Sequence, residues 1–350
     1  MEAHLDSFVR NAWYPAAWSR EVVHELTQRR ILGDLVCLYR TSTGDVVALD
    51  DACPHRLAPL SLGKLKGDAL ECGYHGMTFD CSGKCIRIPG QPMIPPRSDV
   101  RAYPIVEKLG LCWIWMGDPA LADPGEIYDL PAYRDPKYSV LEGDPLAIGC
   151  NYLSLADNLC DPAHVSFVHL SSLGGASGED IPVHNERTAP KKLVTWRWTL
   201  DSPAVPIFAQ FGKFAGNVDR WQYYHYDAPN IAVVDFGSAD VGTGAPEGNR
   251  SDCLQMYSCH FLTPVDEQNC IDYWQVVKNF PTDAATTESM RAQLRIAFNE
   301  DKDILEAIQR NENERPNARR LRLALDAGVQ RMRRMVEELI EAEQKAATAA

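Results

Sequence analysis

Residues 53 to 75 read CPHRLAPLSLGKLKGDALECGYH, and they constrain the fold more than any other stretch. Two cysteines and two histidines stand in two tight pairs, Cys53-x-His55 and Cys72-x-x-His75, with sixteen residues between them. Ligands in two such pairs hold a metal between two loops, so the chain around them must bring two turns face to face. Structural zinc is the first reading. The spacing argues against it, because a zinc-binding pair usually leaves two to four residues between its ligands and the first pair leaves one. Both pairs also run Cys then His. That order suits a two-iron cluster in which one iron takes both thiolates and the other both imidazoles. Replacing two thiolates by neutral imidazoles raises the reduction potential to about −150 to +300 mV. Gly73 and Gly76 let backbone approach such a cluster, and Pro54 and Pro59 stiffen its loops.

The chain of 350 residues is long enough for two cores. Hydrophobic residues at 45% and charged residues at 24% are ordinary for a globular protein. No apolar run approaches the roughly 20 residues of a membrane span, and the start MEAHLDSFVRNAWY lacks a secretory pattern. A cytoplasmic protein is the expectation. Its eleven cysteines are an odd number without disulfide-rich spacing, and read as buried thiols or metal ligands. A formal net charge of −13 argues against a nucleic-acid binder with a broad basic face.

The first third reads as short strands and turns. Residues 36–39, 46–49 and 111–115 are β-branched or aromatic runs, and Gly44-Asp45, the stretch 80–83 and Pro89-Gly90 punctuate them. An all-β domain over residues 1–118 is expected. The stretch MGDPALADPGEIYDLPAYRDP then reads as a wrapping linker. A mixed domain over residues 119–350 follows, with helical character over 152–169 and strands over 192–198, 219–226, 231–236 and 271–280. A long helix opens after Thr282, with Met290, Leu294, Ala297, Phe298, Asp301, Leu305 and Ile308 on one face. A last helix carries Val329, Met332, Val336, Leu339 and Ile340, and the tail EAEQKAATAA is expected to fray.

A second constellation sits in DNLCDPAHVSFVH, residues 157–169, where His164 and His169 follow two aspartates. A one-electron centre does no substrate chemistry and needs an acceptor. Two imidazoles and one carboxylate on one face of an iron leave open positions for O₂, as in non-haem Fe(II) oxygenases. Asp301 is the candidate carboxylate, because it interrupts an apolar stripe and a buried carboxylate needs a partner. Glu300 and Asp303 read as a solvated face. Cys81 and Cys85 read as ordinary residues of a strand-turn-strand, and GTGAPEG as a loop without phosphate-binding spacing. No flavin or nicotinamide motif is present, so electrons must come from a separate NAD(P)H-dependent reductase or ferredoxin.

The first constellation resembles the Rieske iron–sulfur signature. The segment DNLCDPAHVSFVH resembles the D-N-L-x-D-x-x-H-x-x-x-x-H stretch of Rieske non-haem iron oxygenases, and EDKDILEAIQ resembles the segment supplying their carboxylate ligand. The likeness runs from NAWYPAAW to DAGVQRMRRM. It implies an α+β chain, an all-β Rieske domain followed by a catalytic domain whose antiparallel sheet is flanked by helices in helix-grip fashion. A [2Fe-2S] cluster is implied on Cys53, His55, Cys72 and His75, and mononuclear Fe(II) on His164, His169 and Asp301. Asp161 matches the aspartate that bridges to a Rieske histidine of a neighbouring subunit, which implies a homotrimer with a His75–Asp161 bridge. Asn158 matches an asparagine near the iron. The segments IRIPGQPMIPP, LCWIWMGDPALADP, VDRWQYYHYDAPN and GTGAPEGNR resemble the vanillate O-demethylase, toluenesulfonate methyl-monooxygenase and dicamba O-demethylase group. This implies oxidation of a methyl or methoxy group on an aromatic, acidic substrate. N-dealkylation, ring hydroxylation and a plain electron carrier are the alternatives. Arg197, Arg220, His225 and His260 are the candidate anion anchors, and Trp221, Tyr223, Tyr224, Tyr226, Tyr273 and Trp274 the candidate pocket aromatics.

Overall fold

The computed structural model describes residues 7–169 and 181–349. These form two compact units. The first comprises Met1–Ile127, Thr263–Glu267 and Glu343–Ala350, and the second Tyr128–Leu262 and Gln268–Ala342. The first unit thus runs past residue 118, where the linker composition placed its end. That linker folds into tight turns because Asp118 and Asp123 accept hydrogen bonds from the Ala120 and Gly125 amides, at 3.0 and 2.8 Å.

Ten strands build the first unit, as short β-branched and aromatic runs dictate. They are β1 (Trp13–Trp18), β2 (Thr27–Ile31), β3 (Asp34–Arg40), β4 (Val46–Asp50), β5 (Lys64–Lys66), β6 (Ala69–Glu71), β7 (Thr78–Phe79), β8 (Cys85–Arg87), β9 (Ile105–Lys108) and β10 (Leu111–Trp115). They pair as three antiparallel sheets in the orders β1-β10-β9, β2-β3-β4 and β5-β6-β7-β8. Cys53 and Cys72 are buried in one core with Tyr39, Leu49, Leu70 and Phe79. The tail expected to fray is tied down. Glu343 accepts from the Arg10 and Asn11 amides at 2.8 and 2.7 Å.

The second unit holds β11 (Ser139–Glu142), β12 (Leu146–Ile148), β13 (His184–Ala189), β14 (Lys192–Ser202), β15 (Val218–Asp227), β16 (Ile231–Asp240), β17 (Leu254–Asp266) and β18 (Asn269–Lys278). β17 runs on into the residues counted with the first unit. The sheet order is β11-β18-β17-β16-β15-β14-β13, with β12 also on β18. The helices are α1 (Tyr152–Leu159), α2 (Val165–Val168), α3 (Pro206–Phe211), α4 (Ala284–Glu314) and α5 (Ala327–Ala349). Asp283 caps α4, accepting from the Thr286 amide at 2.7 Å.

The inward stripe of α4 holds Met290, Leu294, Ala297, Phe298, Asp301, Leu305 and Gln309. Ile308 is 41% exposed, against expectation, and the polar Gln309 takes the inner place. Its Oε1 accepts from the Asn151 amide at 2.8 Å, and Asn151 in turn caps α1. Residues 152–169 are not one helix either. Pro162 cannot donate a backbone bond and forces Asp161 out of helical geometry, so α1 stops at Leu159 and a new turn starts after His164.

Candidate metal centres and substrate cavity

The two Cys-His loops of the first unit repeat one backbone turn. The Cys53 carbonyl accepts from the Leu57 amide at 2.8 Å and its amide donates to the Ala58 carbonyl at 2.9 Å. The Cys72 carbonyl accepts from the Gly76 amide at 3.1 Å and its amide donates to the Met77 carbonyl at 2.8 Å. The residue four after each cysteine has positive φ, 56° at Leu57 and 74° at Gly76. At Gly76 a Cβ would also press on Pro89 at 3.0 Å. Asp51, buried two residues before Cys53, accepts from the Ser61 amide and hydroxyl at 2.6 and 2.7 Å and pins the covering loop.

Both cysteines are buried, whereas His55 and His75 are exposed, their ring centroids 4.5 Å apart. Thiolates inside and imidazoles outside, on twin turns, fit a [2Fe-2S] cluster with its histidine iron toward the surface. Cys81 is exposed and Cys85 buried in β8, and none of the eleven cysteines forms a disulfide.

In the second unit, His164, His169 and Asp301 bring one ligand atom each within 4.8 Å of one another. Five residues along a helix leave side chains about 140° apart. Here α2 is a single turn and His169 stands past its end, so the two rings come to 5.3 Å. Asp301 Oδ1 lies 3.5 Å from His164 Nε2 and 3.2 Å from His169 Nε2. Ligand atoms about 2.1 Å from one metal and at right angles stand about 3 Å apart, so these spacings fit a facial triad.

The outer ring nitrogens fix both tautomers. His164 Nδ1 faces the Asp161 carbonyl at 2.6 Å, and His169 Nδ1 faces Glu300 Oε2 at 2.9 Å. Both partners only accept, so each Nδ1 donates and each Nε2 presents a lone pair to the site. Glu300 is therefore not a solvated face but the orienting partner of His169. Burial holds His164 below its ordinary value, against the pull of Asp301. Burial also lowers His169, but the carboxylates of Asp301 and Glu300 outweigh it and hold the imidazole above its ordinary value.

Asn158 donates from Nδ2 to Asp301 Oδ1 at 2.8 Å, while its buried Oδ1 lacks a hydrogen-bond partner among the described residues. Such an orphan beside three converging ligand atoms marks a place for a polar guest. Asp161 accepts from the Ala163 amide at 2.8 Å and is half-buried.

The triad lines a cavity of about 130 Å³ between one face of the sheet and the helices. Arg197, Arg220 and His260 line it and His225 does not, because strand residues alternate faces. On β15, Arg220, Gln222 and Tyr224 point inward, whereas Tyr223 and His225 stack on the outer face at 6.2 Å. Of the aromatics singled out in sequence, Tyr224 points into the cavity; the Trp221 ring packs on the other face, 5.5 Å from Trp198 and donating to Asp235 at 2.9 Å, and Tyr223, Tyr226, Tyr273 and Trp274 do not line the cavity. His260 Nδ1 donates to the buried Asp272 at 2.7 Å, so its Nε2 accepts from the Ser258 hydroxyl at 2.8 Å. The parity of β17 and β18 carries this relay, and the sequence reading missed Ser258 and Asp272.

Comparison with known proteins agrees with both sites. Residues 12–104 match the Rieske [2Fe-2S] domain family, and residues 148–342 match the vanillate O-demethylase oxygenase C-terminal domain family. The chain is 38% identical to the toluene-4-sulfonate monooxygenase system iron-sulfur subunit of Comamonas testosteroni, over 96% of this chain and 98% of that one. It is 34% identical to a vanillate O-demethylase oxygenase subunit of Pseudomonas sp., over 98% of each. A crystal structure of dicamba monooxygenase bound to 3,6-dichlorosalicylic acid matches with a TM-score of 0.86 at 33% identity, over 96% of this chain and 99% of that one. With a cluster cradle, a facial triad and these relatives in agreement, the chain belongs to the Rieske non-haem iron oxygenases.

Proposed function

We propose that this chain is the terminal oxygenase of a multicomponent monooxygenase that oxidises a methyl or methoxy group of a small aromatic substrate. The observation that carries this is the junction of the His164–His169–Asp301 triad with an enclosed, largely apolar cavity. An apolar cavity of about 150 Å³ admits benzene, so about 130 Å³ is the scale of a single aromatic ring. Relatives named for toluene-4-sulfonate, vanillate and dicamba act on molecules of that size.

Bound at the two sites, the cluster supplies single electrons and the mononuclear iron supplies the chemistry of O₂. His164, His169 and Asp301 would hold the metal at the wall of the cavity. Asn158 steadies Asp301, and Glu300 steadies His169. Phe236, Leu294 and Phe298 keep water out and press the ring into one orientation. One oxygen atom enters a methyl C–H bond and the other leaves as water, with two electrons and two protons consumed. A methoxy group so hydroxylated is a hemiacetal and falls apart to a phenol and formaldehyde.

Electrons come from a separate NAD(P)H-dependent reductase or ferredoxin. The working assembly is a homotrimer in which exposed His75 of one subunit meets Asp161 of the next, and it works in the cytoplasm. Supporting this are the exposure of the histidine edge of the cluster cradle, the resemblance of the Asp161 segment, and the lack of any described helix long and apolar enough to cross a membrane. Incubation with a reductase, NADH and a panel of methyl- and methoxybenzenes tests the reading. Formaldehyde or benzylic alcohol is expected, in step with NADH consumed. Ring diols or N-dealkylated products alone would refute it.

A further inference from the structure

Ser258, His260 and Asp272 form a hydrogen-bonded line that ends on the cavity. Ser258 and His260 alternate along β17, so both fall on the face that lines the cavity. Asp272 comes from the adjoining β18, is 2% exposed and lies outside the lining. It accepts from His260 Nδ1 at 2.7 Å, and His260 Nε2 accepts from the Ser258 hydroxyl at 2.8 Å. The other Asp272 oxygen is buried without a hydrogen-bond partner among the described residues, so the carboxylate acts on the imidazole alone. The Phe298 ring meets that of His260 edge-on at 5.0 Å and fixes its plane. Phe298 stands one helical turn before Asp301 on α4, which puts the line beside the metal triad.

With one ring nitrogen engaged by Asp272 and the other by Ser258, His260 has basicity to offer the cavity. Hydroxyl, imidazole and buried carboxylate in this order make a general base. A proton taken at the hydroxyl is held as an imidazolium against the carboxylate. Hydroxylation of a ring methyl gives an alcohol that needs no such group. Hydroxylation of a methoxy group gives a hemiacetal, and its decay requires a proton to move from its hydroxyl to its ether oxygen. Water carries that proton in solution. A largely apolar cavity withholds water, so the protein must carry it.

We propose that Ser258, His260 and Asp272 catalyse the collapse of this hemiacetal, which makes the oxidised group a methoxy and not a ring methyl. The proposal rests on the cavity being the place of methyl oxidation. Ser258 Oγ takes the hemiacetal hydroxyl proton as its own passes to His260 Nε2. The freed electron pair forms the C=O bond of formaldehyde, and the bond from that carbon to the aryl oxygen breaks. The departing phenolate takes a proton from Ser258, which recovers its own from His260. Asp272 balances the transient imidazolium. The proton returns to the products, so the buried line needs no path to bulk water, and no oxidant or reductant takes part.

The test compares two probes in the iron-loaded protein with reductase and NADH. 4-Methoxybenzoate passes through a hemiacetal and 4-methylbenzoate does not. In S258A, H260Q and D272N the rate of phenol formation from the first, divided by that of alcohol formation from the second, should fall roughly tenfold or more. In a single turnover with the methoxy probe, phenol should then lag behind reoxidation of the reduced cluster. S258T keeps the hydroxyl and should restore the ratio, and iron content and cluster absorbance check that each variant is folded. Nitrogen NMR of the iron-free native chain should find His260 protonated at Nδ1, its signals identified by their loss in H260Q. Equal falls for both probes, phenol in step with the cluster in every variant, or His260 protonated at Nε2 would overturn the proposal. Oxidation of 4-methylbenzoate alone by the native chain would overturn it too, while leaving methyl oxidation in place. Oxidation of neither probe would remove methyl oxidation itself, and the proposal with it.

Discussion

Glu300 shows how much a single carboxylate can add beside a candidate metal ligand. It accepts from His169 Nδ1 at 2.9 Å, which orients the ring and raises its basicity. E300Q should therefore weaken iron retention about 10- to 100-fold, measured as mononuclear iron left after dialysis against a chelator, with the cluster spectrum unchanged. Unaltered retention would leave Glu300 without this role. The three residues that the structure brings together as a candidate ligand set were legible in the sequence because iron chemistry admits few residue types. Asp301 betrayed itself by breaking an apolar stripe. Glu300 did not, since adjacent helix residues point about 100° apart and its partner lies 131 positions away.

At the scale of elements, the site depends on where α1 stops and what holds it. Arg333 of α5 donates to both oxygens of Asp157 of α1 at 2.9 Å, one residue before Asn158. R333A should lower stability by about 1.5–3 kcal/mol, the range for hydrogen bonds to a charged group, read as a fall in Tm, and should loosen iron binding through Asn158. A Tm within experimental error of the native protein would show that the pair is idle. Strands and the long helix were readable from β-branched runs and three-four spacing. The split of residues 152–169 was not read, although Pro162 carries the signal. Which of several basic and aromatic residues face the cavity needed the registers of β14 and β15, and a one-residue shift would have exchanged the two sets.

For the whole molecule, the proposed bridge makes electron transfer a property of the assembly. On the proposed ligand sets, an H75A chain should lack a competent cluster and a D301A chain a competent iron. Neither should turn over alone, whereas trimers of the two co-expressed chains should recover activity, because each supplies what the other lacks. No recovery in verified mixed trimers would place the electron path within one subunit. The two-unit plan was visible in the motif order, but the outlying pieces of the first unit, Thr263–Glu267 and Glu343–Ala350, were not, because long-range pairing leaves no local pattern. Counting iron tests the two-centre arrangement most directly. The native chain should hold three irons, and D301A should hold two with an intact Rieske spectrum. Two irons in the native chain, or three retained by D301A, would contradict it.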